Sequence, residues 1–169
     1  INDICKASRE LRKLGHPLVF NIYGQRVPSD FLSVEIDGES VRHHGEVPAA
    51  KRFKIMEEHH VFMVPSTFDS DLANEYSFSI PTKLSELLAS GRPTIIYGPK
   101  IMEAHRFCKD NDCGYLIDKR SVENLMKALT EIMENYQDSL STSINQANRI
   151  QSLISKSTQV PRFHDFLLS

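Results

Sequence analysis

Short apolar runs that do not alternate with polar residues most constrain how this chain can fold. Pro17–Tyr23, Val61–Val64, Pro93–Tyr97 and Gly114–Ile117 are such runs, and Gly24, Pro65-Ser66 and Gly98-Pro99 close the first three. Unbroken apolar runs bounded by turn residues are the pattern of strands covered on both faces. A shorter and more polar candidate is Val41–Val47. Between the runs the apolar spacing changes to that of helices. Ile4, Ala7, Leu11 and Leu14 form one stripe, ended by Gly15; Phe53, Ile55 and Met56 are expected inward after Pro48. Ile101–Asn111 reads as a helix. Ser121 reads as an N-cap, with Val122, Leu125, Leu129, Ile132 and Met133 inward behind it. Tyr136–Ser155 continues as a second long helix with a break at the serine-rich Ser139–Ser143.

Helix and strand alternate throughout, which predicts an α/β, doubly wound, Rossmann-like parallel sheet with helices on both faces. The expected organisation is one domain over residues 1–155 and a helical tail over 156–169 that packs back through Val160, Phe163, Phe166 and Leu167. With 169 residues, 40% hydrophobic and 25% charged, the chain has the balance of a soluble globular domain. A net charge of -2 argues against non-specific nucleic-acid binding. No apolar run approaches the roughly 20 residues of a membrane span, and no secretory signal opens the chain. Three cysteines fit a reducing, cytoplasmic setting. Cys108 and Cys113 are expected to be buried thiols rather than half of a metal site. The pairs His43-His44 and His59-His60 do not suggest a metal, because neighbours on a strand point to opposite faces.

The segment with most chemistry is Glu75–Pro93. Pro81 suits a first helical turn, Gly91 a left-handed C-terminal cap, and Ile80, Leu84, Leu87 and Leu88 one buried stripe. A cation in a first turn opposes the helix dipole by about 0.3–1 kcal/mol, so Lys83 asks for a reason. Two readings stand: an anion such as phosphate held by the helix start, with Thr82 beside it and Glu86 accepting from hydroxyls, or a surface Lys83–Glu86 pair. In parallel sheets ligands sit beyond the carboxyl ends of the strands. Gly24–Arg26, Gly45–Val47, Ser66–Ser79 and Gly98-Pro99 share that edge with Lys83, which tips the balance to the anion. Ser66 lacks the Gly-x-Ser-x-Gly elbow of a nucleophile, and no Gly-x-Gly-x-x-Gly or Walker pattern occurs.

Val61-Phe-Met-Val-Pro-Ser66, a long loop, then Ile80-Pro-Thr-Lys-Leu-Ser-Glu-Leu-Leu-Ala-Ser-Gly-Arg-Pro-Thr-Ile-Ile96 resembles the C-terminal half of GT-B glycosyltransferases. The likeness is closest to the retaining family-four group, many of which build surface polysaccharides. Leu18–Gly24 and Val41–Val47 resemble that group's glycine-ended strands, and the likeness runs from about Ile4 to Asn135. It implies binding of a nucleoside diphosphate sugar such as a UDP- or GDP-sugar, with no further cofactor and no metal. The glutamate matching Glu86 binds ribose, and the amides matching Thr82 and Lys83 hold the diphosphate, with Gly24 and Arg26 nearby. The base lies by the segment matching Val47–Arg52, and Tyr76, Ser77, Phe78 and Ser79 face the transferred sugar.

The sequence departs from the family where an acid often precedes the ribose glutamate: that position is Phe78, and Glu75 lies three residues too early. The resemblance further implies that the acceptor, a glycan or lipid-linked sugar, and the catalytic residue belong to an N-terminal domain. The chain is therefore expected to be a fragment without transfer activity of its own, from a protein peripheral to the inner membrane face. An epimerase of the same fold and a ligand-free interaction domain are the alternatives.

Overall fold

A computed structural model describes residues 1–24 and 36–154. These residues form an α/β structure of parallel sheets flanked by helices, and every described strand pair is parallel. The chain divides into two compact units, Ile1–His59 with Lys119–Glu134, and His60–Asp118 with Asn135–Ser169. The expected tail at 156–169 and most of the segment Phe31–Glu39 lie outside the described residues.

In the first unit, helix α1 (Asn2–Lys13) leads to strands β1 (Phe20–Ile22) and β2 (Val41–His43). They pair in parallel with Phe20 opposite Val41 and Ile22 opposite His43. Cys5 and Val41 centre the core there, with Phe20, Ile22 and Ile36 against them. The Ser8 hydroxyl donates to the Ser40 carbonyl at 2.8 Å, so a buried polar side chain ties α1 to the start of β2. One Asp37 carboxylate oxygen accepts from the backbone N–H groups of Glu39, Ser40 and Val41, which fixes the turn into that strand. A 3-10 turn, Ala49–Lys51, then enters helix α2 (Arg52–Glu57).

In the second unit, β3 (Phe62–Pro65), β4 (Thr94–Tyr97) and β5 (Tyr115–Ile117) form a sheet in that order, with β4 central and buried along its whole length. Helix α3 (Ser70–Glu75) and helix α4 (Leu84–Ala89) connect β3 to β4, and α5 (Glu103–Asp110) connects β4 to β5. Helix α6 (Val122–Glu134) belongs to the first unit, where it packs on α1. Helix α7 (Tyr136–Ile154) belongs to the second, where it packs on α4. Val64, Leu84, Leu88, Ile96, Ala104, Cys108, Cys113 and Ile150 make one core.

Several elements differ from the sequence expectation. β1 begins at Phe20 and not Pro17; β2 stops at His43 and not Val47. Leu14 is 69% exposed, because it lies past the last turn of α1, where Gly15 turns the chain with φ 94°. Phe53 is 63% exposed while Ile55 and Met56 are half-buried. Ile80 is exposed because α4 begins only at Leu84, leaving Ile80 on the turn before it. The polar stretch Thr67–Ser79 contains α3, whose N-cap Asp69 accepts from Asp71 and Leu72 N–H at 3.1 Å each.

The serine-rich stretch is no break. Ser139 and Ser143 are buried, four apart on one face with Ala147 and Ile150 beyond them. They act as small packing residues. A Cβ placed on Gly91, just past α4, would meet Ile144 Cγ1 at 3.2 Å and the Ala147 Cβ at 3.9 Å, so α7 lies close to that turn.

Candidate functional site

The crossover from β3 to β4 must bring the chain back to the start of β4, so α4 begins at the carboxyl edge of the sheet. Here the strand ends lie close together. Ser66 N–H donates to the Tyr97 carbonyl at 2.7 Å, and Gly98 N–H to that of Ile117 at 3.1 Å. A Cβ on Gly98 would come within 2.6 Å of the Ser66 Cβ, which explains a glycine at the end of a central strand.

On the first turn of α4, Lys83 Nζ lies 3.7 Å from a Glu86 carboxylate oxygen, with side chains 56% and 33% exposed. The pair that helical spacing offered as the simpler reading is thus present, at a distance beyond an ordinary hydrogen bond. Thr82 is exposed beside it, and the Leu84 N–H is taken by the Pro81 carbonyl at 2.9 Å.

The turn before α4 is anchored from within. Ser77 is buried, its hydroxyl donates to the Asn74 carbonyl at 2.9 Å, and its own carbonyl accepts from the Glu103 N–H of α5. Ser79 N–H closes onto the Tyr76 carbonyl at 3.0 Å. The consequence is outward display: Tyr76 is 51% exposed and Phe78 84%, with the Arg106 guanidinium 5.7 Å from the Phe78 ring centroid. Arg106 also pairs with Glu103. Of the four residues expected to face a sugar, Ser77 serves the scaffold, while Tyr76, Phe78 and Ser79 face out.

Beyond β5, Asp118 meets Lys100 at 3.0 Å, and that bond holds its carboxyl below the usual range. His105 on α5 is buried, and burial pushes its imidazole pKa down against the opposing pull of Asp118. Its Nε2 has no hydrogen-bond partner among the described residues. Sequence reading passed over His105, although its spacing from Met102 and Cys108, three residues to either side, puts it beside two buried residues.

In the first unit, Gly24 N–H donates to the Gly45 carbonyl at 2.9 Å, and the Gly24 carbonyl faces His43 Nε2 at 3.1 Å. Its amide is committed, so what Gly24 offers a ligand is the space of a missing side chain. Val47 is half-buried, and Arg52 opens α2 with its guanidinium 5.8 Å from the Phe53 ring centroid. Arg26 lies outside the described residues.

The two histidines of the first pair have different partners. His43 reaches Gly24, while His44 Nε2 meets Asn21 Oδ1 at 2.7 Å and stacks on Tyr23 with centroids 4.7 Å apart. His59 Nδ1 lies 2.6 Å from the Ile55 carbonyl, which assigns the proton to that nitrogen. The Tyr23 hydroxyl then donates to Nε2 at 3.2 Å. No helix among the described residues is long and apolar enough to cross a membrane.

The family model described as "Glycosyl transferases group 1" matches residues 1–135. No match was found among curated proteins.

Proposed function

The chain belongs to the group 1 glycosyltransferases, and from that premise we propose that it binds the donor, a nucleoside diphosphate sugar of the UDP or GDP type, for transfer to a glycan or lipid-linked acceptor in surface polysaccharide synthesis. One observation carries the reading. Lys83 and Glu86 stand 3.7 Å apart on the first turn of α4, a cation and a hydrogen-bond acceptor side by side at one helix start. A nucleoside diphosphate brings both complements, an anion for Lys83 and Thr82 and vicinal ribose hydroxyls for Glu86. Tyr76, Phe78 and Ser79, ahead of that turn, are the proposed contacts to the transferred sugar. In the first unit, Gly24 and Arg26 are proposed toward the diphosphate, and Val47 and Arg52 toward the base.

Calorimetric titration with UDP and GDP tests this. One of the two is expected to bind, and Glu86→Ala to weaken it by about tenfold or more, the loss of a hydrogen bond to a charged acceptor. Unchanged affinity in that variant would remove Glu86 from the ribose role.

A further inference from the structure

The dithiol at the end of α5 has no part in the proposed donor site. All three cysteines of the chain are thiols. Cys108 and Cys113 are buried, 0% and 2% exposed, in the same core cluster. What brings them together is the way the helix stops. The Cys113 N–H donates to the Cys108 carbonyl at 2.9 Å and the Asp112 N–H to that of Lys109 at 3.3 Å, while Asp112 has φ 47°. These are the two hydrogen bonds and the left-handed residue of a Schellman motif, which places the side chains of its first and last members in contact. Here those members are the two cysteines, both inside the same core cluster.

The turn is also held from α7. Arg149 donates to the Asp112 carbonyl at 2.7 Å, and Gln146 Oε1 accepts from the Gly114 N–H at 3.2 Å. The turn is therefore fixed by its own backbone bonds and by two side chains of α7, with both cysteine side chains buried in one cluster. The neighbouring Cys113 thiol raises the pKa of Cys108, with burial adding to the rise. The Cys108 thiol in turn lowers the pKa of Cys113 against desolvation, with the Arg149 guanidinium adding to the effect. Asp112, the residue before Cys113, has a side chain 93% exposed.

We propose that Cys108 and Cys113 form a site of reversible oxidation, closed to an intrachain disulfide by hydrogen peroxide. In the first step the Cys113 sulfur attacks one peroxide oxygen. The S–O bond forms, the O–O bond breaks, and the departing hydroxide takes up the Cys113 proton as water, leaving a sulfenic acid. In the second, the Cys108 sulfur attacks the sulfenic sulfur. The S–S bond forms and the S–O bond breaks, and the Cys108 proton leaves with the hydroxide as a second water. Two thiols and one peroxide become one disulfide and two waters. A thiol reductant reverses the reaction.

The test is peroxide titration of the native chain, quenched with an alkylating agent and read by intact mass and peptide mapping. The expected result is loss of two hydrogens and of two alkylatable thiols, mapped to Cys108 and Cys113, with Cys5 unchanged and full recovery in dithiothreitol. Cys108→Ser is expected to stop at a Cys113 sulfenic acid that dimedone traps, and Cys113→Ser to form no disulfide; circular dichroism checks that each variant is folded. Retention of all three thiols in the folded wild type, oxidation only after unfolding, or modification of Cys5 at the same rate would overturn the proposal. The wild-type measurement stands alone if either variant fails to fold.

Discussion

Gly98 shows how a single residue sets the geometry of the edge. A methyl group there would sit 2.6 Å from the Ser66 Cβ, so two strand ends must separate or two backbones shift. Gly98→Ala is expected to destabilise the protein by about 1–3 kcal/mol, as overpacking does. Chemical denaturation checks this, and combining it with Ser66→Gly should recover much of the loss. In the sequence the dipeptide Gly98-Pro99 is legible as a strand end. The close approach is not, because it depends on a residue more than thirty positions away. Glu86 and Lys83 lie at the other extreme. Helical spacing alone placed them together, and their pairing was one of the two readings it offered. Which partner each prefers when a nucleotide is present belongs to the titration described above.

Among the elements, α3 was hidden in a stretch read as loop, since Thr67–Asp71 is polar and carries little apolar period. Its stability rests on Asp69, whose carboxylate accepts from Asp71 and Leu72 N–H. Asp69→Ala is expected to lower stability by about 1 kcal/mol. The unfolding midpoint should fall accordingly, with increased hydrogen exchange confined to Ser70–Glu75. The helix α4 was legible, yet begins later than Pro81 suggested, so Ile80 lies outside its buried stripe. In α7 the error ran the other way. Serine clusters disfavour helices locally, but Ser139 and Ser143 are buried on the face that also carries Ala147 and Ile150, and tertiary packing outweighs propensity. The Ser121 cap was readable from sequence and is present, its hydroxyl oxygen accepting from the Asn124 N–H at 3.1 Å.

For the molecule as a whole, class and strand direction followed from alternation, because a parallel strand pair needs a crossover and the apolar runs were spaced to allow one. The division of the strands into two sheets did not follow, since apolar runs carry no record of which strands are neighbours. The response to acid is also a property of the whole fold. His105 is buried with its pKa lowered below 6.5, so the folded state disfavours the proton that the unfolded chain accepts. Stability is therefore complete above pH 6.5 and falls as the pH drops toward the folded value. Asp37 and Asp118 have folded values below 3.8 and act in a second, more acidic window. The stability they contribute is present above that pH and lost as their folded values are passed. Burial alone would raise the carboxyl of Asp37, but its three backbone N–H donors more than offset this. Thermal melts from pH 8 to pH 3 should show both steps, and His105→Leu should remove the upper one. An upper step that persists in this variant would assign it to another group.

The two faces of α7 have a practical consequence. One face meets the turn at Gly91 through Ile144 and Ala147, and the other presents Ser141 and Thr142 to solvent. A fluorophore coupled through a cysteine introduced at either exposed position would ride on the second unit without entering its core. It would also sit on the helix that packs behind α4. Either position thus offers an attachment point for an optical reporter of events at Lys83 and Glu86.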